Sequence, residues 1–497
     1  MLYLKPMSET RPLRFFHRGE IRTVQELPVT TTVLQYLREQ AHCTGTKEGC
    51  AEGDCGACTV IVGELKGNEL QLSNVNACTQ FLPTLDGRAL LTVEDLGHSQ
   101  DMNPVQQAMV ECHGAQCGFC TPGFIMSLQA CYEAHDKAPT RAELADALAG
   151  NLCRCTGYRP ILDAGQRMFE LPPRRLDRAP IAEALRSLQE PLHYAAPNPA
   201  FGGRVDHFHA PRTVDELAAL REAMPQARLL AGSTDVGLWV NKQFRDLGDL
   251  IYTGQVAELR EIRREAGSLW IGAAASLEDA WAALHAQEPH LRELWLRFAS
   301  PPVRHAGTLG GNIANGSPIG DGPPALIALG AEIVLRKGAT QRRLLLQDFY
   351  LDYMKNALQP GEFVEAMVVP PQPAGTQLRG YKIAKRYDSD ISAVCAVLSV
   401  QLDGETVKTA RFVYGGMAAI VKRAANAEAA VIGQAWNEDT AWAAAKALSI
   451  DFKPLSDMRA SSAYRAQVAG NLLRRFWLET RPNAPLAARE LSVWQAS

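Results

Sequence analysis

Four cysteines, Cys50, Cys55, Cys58 and Cys78, stand as C-x4-C-x2-C with the fourth farther on. In that spacing four thiolates hold one [2Fe–2S] cluster, two sulfurs to each iron. Four sulfurs must converge on a core a few ångströms across, so the chain has to fold back on itself. Gly49, Gly53 and Gly56 supply the turns with φ > 0 that side-chain-bearing residues resist. The same glycines let backbone N–H groups approach the sulfurs, which offsets cluster charge and tunes potential. The competing readings are a zinc site, or reduced cysteines packed as small hydrophobes. Zinc sites usually show two C-x2-C knuckles, and packed cysteines do not come clustered with glycines. The pattern is that of a chain that moves electrons.

Cys117-x2-Cys120 and Cys153-x-Cys155 supply four more thiolates. Each pair is expected near the end of a helix, so antiparallel packing in a four-helix bundle would bring them together around a second [2Fe–2S] cluster. Four cysteines of this spacing could also take zinc; the neighbouring first motif weighs toward iron and sulfide. The remaining Cys43, Cys112, Cys131 and Cys395 read as buried small hydrophobes.

The elements that must position these ligands follow from pattern. Leu13–Phe16 and Ile21–Val24 flank a hairpin turn at His17-Arg18-Gly19-Glu20. Thr30–Thr32 can cap a helix with Val33, Leu34, Leu37 and Ala41 on one face. Thr59–Leu65 and Glu69–Leu72 read as a second hairpin leading to Cys78, and together these suit a β-grasp ferredoxin domain over 11–95. Residues 96–172 turn helical. Asn103-Pro104 opens the first segment and His113-Gly114 closes it. Thr121-Pro122 places a cap and a first-turn proline, and Thr140-Arg-Ala-Glu143 fits a capping box. A fourth helix is expected over Tyr158–Phe169. Residues 173–204, with paired prolines and a charged run, read as a linker.

An α/β region is expected over 205–372. Arg228–Val236 is an apolar strand running into a glycine turn, and Thr308–Asp321 is a glycine-rich loop of unusual length. Ala231–Thr234 and Thr308–Ser317 have the composition to cradle a diphosphate, with Gly232, Gly310 and Gly311 permitting close backbone approach. Neither matches G-x-G-x-x-G, which excludes a Rossmann fingerprint. Glycine loops also serve simply as punctuation, and Asp235 and Asp321 also suit turns or caps. A C-terminal α/β lobe is expected over 378–485. It opens on the charged loop Lys382–Asp390, which reads as a solvated surface or as cations meeting the phosphates of a nucleotide. Asp403-Gly404 signals a hairpin between Ile391–Leu402 and Val407–Tyr414.

The 497 residues, 46% hydrophobic and 21% charged, are those of an ordinary globular chain of several domains. A net charge of −3 gives no global basic field for nucleic acid or anionic lipid. No stretch approaches the roughly 20 apolar residues of a membrane span, and the first ten residues show no signal-peptide run. Twelve cysteines without a secretory signal point to metal rather than disulfides, hence to the cytoplasm.

Cys50–Cys58 with Cys78, Gln116-Cys-Gly-Phe-Cys-Thr-Pro-Gly123 and Asn151-Leu-Cys-Arg-Cys-Thr-Gly-Tyr158 together resemble the iron–sulfur part of the xanthine dehydrogenase/aldehyde oxidase family of molybdenum hydroxylases. Leu229–Val236 and Thr308–Asp321 resemble that family's FAD domain. The resemblance implies a multidomain α+β fold: a β-grasp [2Fe–2S] domain, a four-helix [2Fe–2S] domain, an FAD-binding domain and a C-terminal flavoprotein lobe. It implies that Leu229, Leu230, Ala231, Gly232, Ser233, Thr234, Asp235, Val236, Thr308, Leu309, Gly310, Gly311 and Asn312 wrap FAD. Phe298, Asn315, Asp321, Val364 and Lys382 match further flavin contacts. Gln116 would face the pterin, and Asp235, Arg386 and Asp390 would lie near the flavin or NAD+. Asp235 stands where relatives can carry glutamate, a longer side chain. The chain ends after the flavin lobe, so the resemblance implies an electron-transfer subunit. Its partner would be a molybdopterin-binding large subunit, in a dimer of heterodimers that oxidises hypoxanthine and xanthine to urate with NAD+. The same architecture also serves aldehydes, N-heterocycles or carbon monoxide. The reading from a different class is a zinc-stabilised scaffold.

Overall fold

Arg18 and Gly19, at φ 53° and 80°, reverse the chain between strands Leu13–His17 and Glu20–Val24. The left-handed pair matches the twist of a two-residue hairpin. The computed structural model describes residues 9–491. It divides into two units. One runs to Arg260 and takes in Ser276–Glu278 and Ala299–Thr308; the other comprises Glu261–Ala275, Asp279–Phe298 and the chain from Leu309.

In the first unit the hairpin joins a five-stranded sheet in the order Glu20–Val24, Leu13–His17, Ala89–Leu91, Thr59–Lys66, Glu69–Asn76. Leu13–His17 and Ala89–Leu91 run parallel, and the other pairs are antiparallel. The helical turn after Thr32 is fixed by a capping box with Gln35, and it widens into a π-turn over Tyr36–Gln40. Because alternate residues of a strand point to opposite faces, Phe15 enters one core with Val33, Leu37 and Phe81. Phe16 enters another with Ile61, Leu91, Phe124 and Leu128. Each fully buried phenylalanine contributes about 1.5–3 kcal/mol of hydrophobic stabilisation.

The second of these cores is shared with four helices, Pro104–Glu111, Thr121–Ala134, Arg141–Ala147 and Arg159–Arg167. Capping boxes at Asn103 and Thr140 start the first and third. The first ends where His113 turns left-handed at φ 56°. The cap expected at Thr121 lies instead at Cys120, without a side-chain cap bond, and Thr121 is the first helical residue. The stretch expected as a linker is more ordered than its composition suggests. Arg178–Arg186 is a helix that buries Ile181, Ala182 and Leu185, and Leu192–Asn198 is a strand paired with Arg204–Ala210. Prolines at the ends of elements had masked short apolar runs between them. That strand pair extends through Leu250–Tyr252 to Arg228–Leu230 in a second, four-stranded sheet.

The other unit holds an antiparallel sheet in the order Ile262–Glu265, Ser268–Gly272, Phe363–Val369, Glu332–Lys337, Thr340–Leu345. A further sheet, Thr376–Ile383, Val394–Asp403, Thr406–Gly415 and Lys422–Arg423, shares a core with helices Glu438–Asp451 and Ser462–Thr480. Two expectations are corrected here. The glycine-rich Thr308–Asp321 stretch is not loop throughout, since Leu309–Ala314 is helical. Lys382 is not on a solvated loop but on strand Thr376–Ile383, and it is buried.

Candidate electron-transfer site

Backbone turns, more than regular elements, aim the first cysteine set. Of the three glycines expected at left-handed turns, Gly53 and Gly56 have positive φ, at 80° and 69°, but Gly49 does not; Ala51 takes that conformation instead, at 55°. A Cβ on Gly49 would stand 2.8 Å from Cys55 Sγ. Asn76 Nδ2 donates to Gly53 O at 3.0 Å and holds that turn. The Cys55 N–H points at Cys50 Sγ at 3.4 Å, the kind of donor that offsets charge on a cluster sulfur. Cys58 and Cys78 are buried, while Cys50 and Cys55 are half-buried.

Hydrogen bonds among these sulfurs concentrate negative charge on Cys50. Hydrogen bonds from the Cys55 and Cys78 thiols hold Cys50 far below the ordinary thiol value. Cys55 is raised by its bond to Cys50 and by burial; Cys78 is raised by its bonds to Cys50 and Cys58 and by burial. Only cationic metal would let all four ionise together.

The second set converges likewise. Cys120, at the start of Thr121–Ala134, is pushed up to about 12 by burial and by its hydrogen bond with Cys153. Cys155 is raised by its hydrogen bond with Cys117. Burial raises Cys153, but hydrogen bonds from Thr156 outweigh that and lower it; the Thr156 hydroxyl donates to Cys153 Sγ at 3.2 Å. Cys117 and Cys155 are exposed, beside the partly exposed rings of Phe119 and Tyr158 and the side chain of Leu152. Gln116 is exposed too.

The two sets are joined by short polar links. The Leu152 N–H, one residue before Cys153, donates to Cys55 O at 3.0 Å. Asn151 Nδ2 donates to Gly56 O at 3.1 Å. A Cβ on Gly56 would lie 2.2 Å from Gly150 O, and one on Gly123 would lie 2.1 Å from Gly56 O, so both glycines are required for this approach.

The turn after strand Arg228–Leu230 also meets the first cysteine set. Gln80 Nε2 donates to Gly232 O at 2.9 Å. Asn241, ending helix Val236–Asn241, donates to Cys78 O at 2.7 Å and to Ala51 O at 3.1 Å. A Cβ on Gly232 would lie 2.1 Å from Ala306 O. Ser233 takes φ 61°, and its hydroxyl oxygen is buried without a hydrogen-bond partner, as a polar ligand would require. Leu230 and Thr308 are buried; Leu229, Ala231, Gly232, Thr234 and Val236 are half-buried. Asp235 reaches solvent, although the protein around it raises its carboxyl above the usual range through desolvation.

In the second unit, Gly310 N–H donates to Ala273 O at 2.8 Å, and a Cβ on Gly310 would lie 2.5 Å from Ala273 Cβ. Leu309 is buried and Gly311 half-buried. Asn312 Oδ1 is buried without a hydrogen-bond partner, and Asn315 N–H donates to Gly311 O at 3.1 Å. Lys382 Nζ donates to Asp321 Oδ2 at 2.7 Å and to Ser392 Oγ at 2.8 Å, while Ser392 Oγ donates to Asp321 Oδ1 at 2.6 Å. Phe298 is buried against Trp281, and Val364 is buried on its strand. On the neighbouring loop Asp390 accepts the backbone N–H groups of Lys385 and Arg386, each at 3.0 Å. Asn76, Gln80, Asn241 and Ser392 had no sequence signal, because each acts through a partner distant in the chain.

The residues fit the groups that the sequence implies. Two thiol quartets suit two clusters; in the first unit the Gly232 turn with the orphaned Ser233 oxygen suits a polar nucleotide, and in the second unit the Gly310 turn with the orphaned Asn312 oxygen does so separately. Comparison with known families agrees. Residues 15–82 match the 2Fe-2S iron-sulfur cluster binding domain, and 92–166 match the [2Fe-2S] binding domain. Residues 201–372 match the FAD binding domain in molybdopterin dehydrogenase, and 379–480 match the CO dehydrogenase flavoprotein C-terminal domain.

Among curated proteins, xanthine dehydrogenase of Emericella nidulans is 31% identical over 94% of this chain and 38% of its own length. Aldehyde oxidase 4 of Cavia porcellus is 29% identical over 96% of this chain and 40% of its own. The chain thus spans well under half the length of these relatives. Among solved structures, a chain of carbon monoxide dehydrogenase from Hydrogenophaga pseudoflava is 31% identical, with a TM-score of 0.52. That match covers 56% of this chain and 96% of the other. A chain of CO dehydrogenase from Oligotropha carboxidovorans is 27% identical, with a TM-score of 0.51, over 54% and 94%. Its cysteine quartets, its flavin-type turns and these matches agree that the chain belongs to the molybdenum hydroxylase family, as an iron–sulfur and FAD-binding electron-transfer module.

Proposed function

We propose that the chain is the electron-transfer subunit of a xanthine dehydrogenase. It would carry electrons from a molybdopterin-bearing partner, through two [2Fe–2S] clusters and FAD, to NAD+. The observation that supports this most is a continuous run of contacts. The exposed Cys117 set leads through Leu152 N–H and Cys55 O to the inner set, and from Cys78 through Asn241 and Gln80 to the Gly232 turn. When bound, the clusters pass single electrons and FAD pairs them for hydride transfer.

The protein's own residues set the order. The Cys117/Cys120/Cys153/Cys155 set faces solvent, where a partner's electrons would arrive, and Phe119, Leu152 and Tyr158 give the partner an apolar rim to cover. The Cys50/Cys55/Cys58/Cys78 set is more enclosed, which shields its charge from water. Leu229–Val236 and Thr308–Asn312 would hold FAD together with Phe298, Asn315, Asp321, Val364 and Lys382. Asp235, Arg386 and Asp390 would lie near the flavin or NAD+. Overall, xanthine, water and NAD+ give urate, NADH and a proton, with two electrons leaving the purine and two arriving on NAD+. A dimer of heterodimers in the cytoplasm completes the proposal. Among the described residues no helix is long and apolar enough to cross a membrane.

The test uses the purified chain loaded with iron, sulfide and FAD. NADH should bleach the flavin and then the clusters, and ferricyanide should be reduced. Urate should form from xanthine only after the molybdopterin partner is added. Failure of NADH to reduce the flavin would refute NAD+ as the acceptor, and hydroxylation of an aldehyde but not of xanthine by the complex would refute the substrate.

A further inference from the structure

Three histidines that the electron-transfer reading does not use meet on one face of the four-stranded sheet in the first unit. His193 lies on strand Leu192–Asn198; His207 and His209 lie on Arg204–Ala210. His193 pairs directly across from His209, and His207 is two residues earlier on the same strand, so all three side chains share a face. His193 Nε2 and His207 Nδ1 stand 3.0 Å apart, and one ring nitrogen from each histidine falls within 4.8 Å of the other two. His209 is only 3% exposed, and its Nε2 is buried without a hydrogen-bond partner.

A buried imidazole nitrogen with no partner has lost its solvation without compensation. A cation bound there would recover that cost. Neutral imidazoles are borderline-soft donors that suit zinc and its neighbours; calcium and magnesium demand oxygen. We propose that His193, His207 and His209 form a site for a divalent transition-metal ion of the zinc class, with water as the fourth ligand on the half-exposed His207 side. The Asp249 carboxylate accepts the His207 backbone N–H at 2.8 Å and anchors that strand at the site.

Metal binding demands a local adjustment. The His193 and His209 rings are stacked, with centroids 4.3 Å apart and planes 19° apart, so they must tilt for their in-plane lone pairs to meet one ion. A cation would thereby clip two neighbouring strands together, which is a stabilising role rather than a redox one.

The test uses the full chain already loaded with iron and FAD, so that the cysteines are occupied. It is equilibrated with zinc chloride, freed of loose metal by gel filtration, and analysed for zinc, iron and FAD. One zinc per chain is expected, together with a rise in Tm on zinc addition. Zinc retention should fall by about tenfold or more in His207→Ala and His193→Gln, with iron and FAD contents unchanged. No zinc retained by the unaltered chain overturns the proposal, whatever the variants do. Equal retention in the variants overturns it as well, because the zinc would then be adventitious.

Discussion

Asn241 Nδ2 donates to the carbonyl of Cys78 at 2.7 Å, tying the helix that follows the glycine turn to the last ligand of the inner cysteine set. The same amide reaches Ala51 O at 3.1 Å, inside the ligand loop itself. One side chain therefore fixes both walls of that loop against the turn proposed for the flavin diphosphate.

Asn241→Ala removes both bonds. The expected cost is about 1–3 kcal/mol, because two part-buried hydrogen bonds are lost, seen as an earlier midpoint in urea unfolding. NADH should still reduce the flavin, but the later reduction of the clusters, followed in a stopped-flow spectrometer, should slow. Unaltered cluster reduction in a destabilised variant would show that the contact serves stability alone.

Gly232→Ala would drive a Cβ to 2.1 Å from Ala306 O, a clash with backbone that no side-chain rotation relieves. FAD content per chain should drop sharply while iron content stays at the unaltered level. Simultaneous loss of both would mean that the first unit had failed to fold, and Ser233→Ala then provides the milder probe of the same turn.

Cys58→Ser and Cys117→Ser should each abolish one cluster and spare the other. The inner variant should disturb stability more, because Cys58 is buried and Cys117 is exposed. Electron paramagnetic resonance of the dithionite-reduced chain should show one of two rhombic signals missing in each variant, and a different one in each. Loss of both signals in either variant would count against two independent sites.

Lys382→Met leaves the buried Asp321 carboxylate with the Ser392 hydroxyl and the Cys395 thiol but without its lysine. Breaking a buried ion pair in this way costs about 3–5 kcal/mol, so the denaturant midpoint should fall markedly. The double variant Lys382→Met with Asp321→Leu should recover part of that stability while still failing to retain FAD. Full retention of FAD by the double variant would remove both residues from the proposed flavin site.

Tyr194 gives the pH dependence. Burial, more than anything else, raises its phenol to about 12, while its hydroxyl donates to Leu27 O at 2.6 Å. With the folded value raised above the ordinary 10.0, the unfolded chain ionises first. Stability from this group is therefore complete below pH 10 and is lost as pH climbs toward 12. Tyr194→Phe should be less stable than the unaltered chain at pH 8, and the gap should shrink steadily above pH 10 in urea unfolding. A gap that stays constant with pH would refute the shift.

The two cysteine quartets were legible as candidate ligands because cluster motifs are read through chain-local spacing: Cys50 to Cys58 and Cys117 to Cys120 each lie within one turn-forming stretch. The helix caps at Thr32, Asn103 and Thr140 were legible for the same reason, since a capping box closes within three residues. Thr121 misled because a Thr-Pro pair reads as cap and first turn, while the chain starts that helix one residue earlier, at a cysteine. The stretch 173–204 misled because proline and charge dominate its composition, yet burial of Ile181 and Leu185 and a strand partner at Arg204–Ala210 outweigh them.

The one-dimensional order of residues determined the two cysteine quartets proposed as ligands, the Gly53 and Gly56 that permit turns in the first, and the family. Those depend on spacings of a few residues and on backbone freedom at single positions. Tertiary structure alone decided that Leu152 meets Cys55, that Asn241 meets Cys78, that Lys382 is buried on Asp321, and that His193 stands across from His209. Each of these joins residues far enough apart in the chain that only strand register and core packing bring them together, and no local pattern encodes such a meeting.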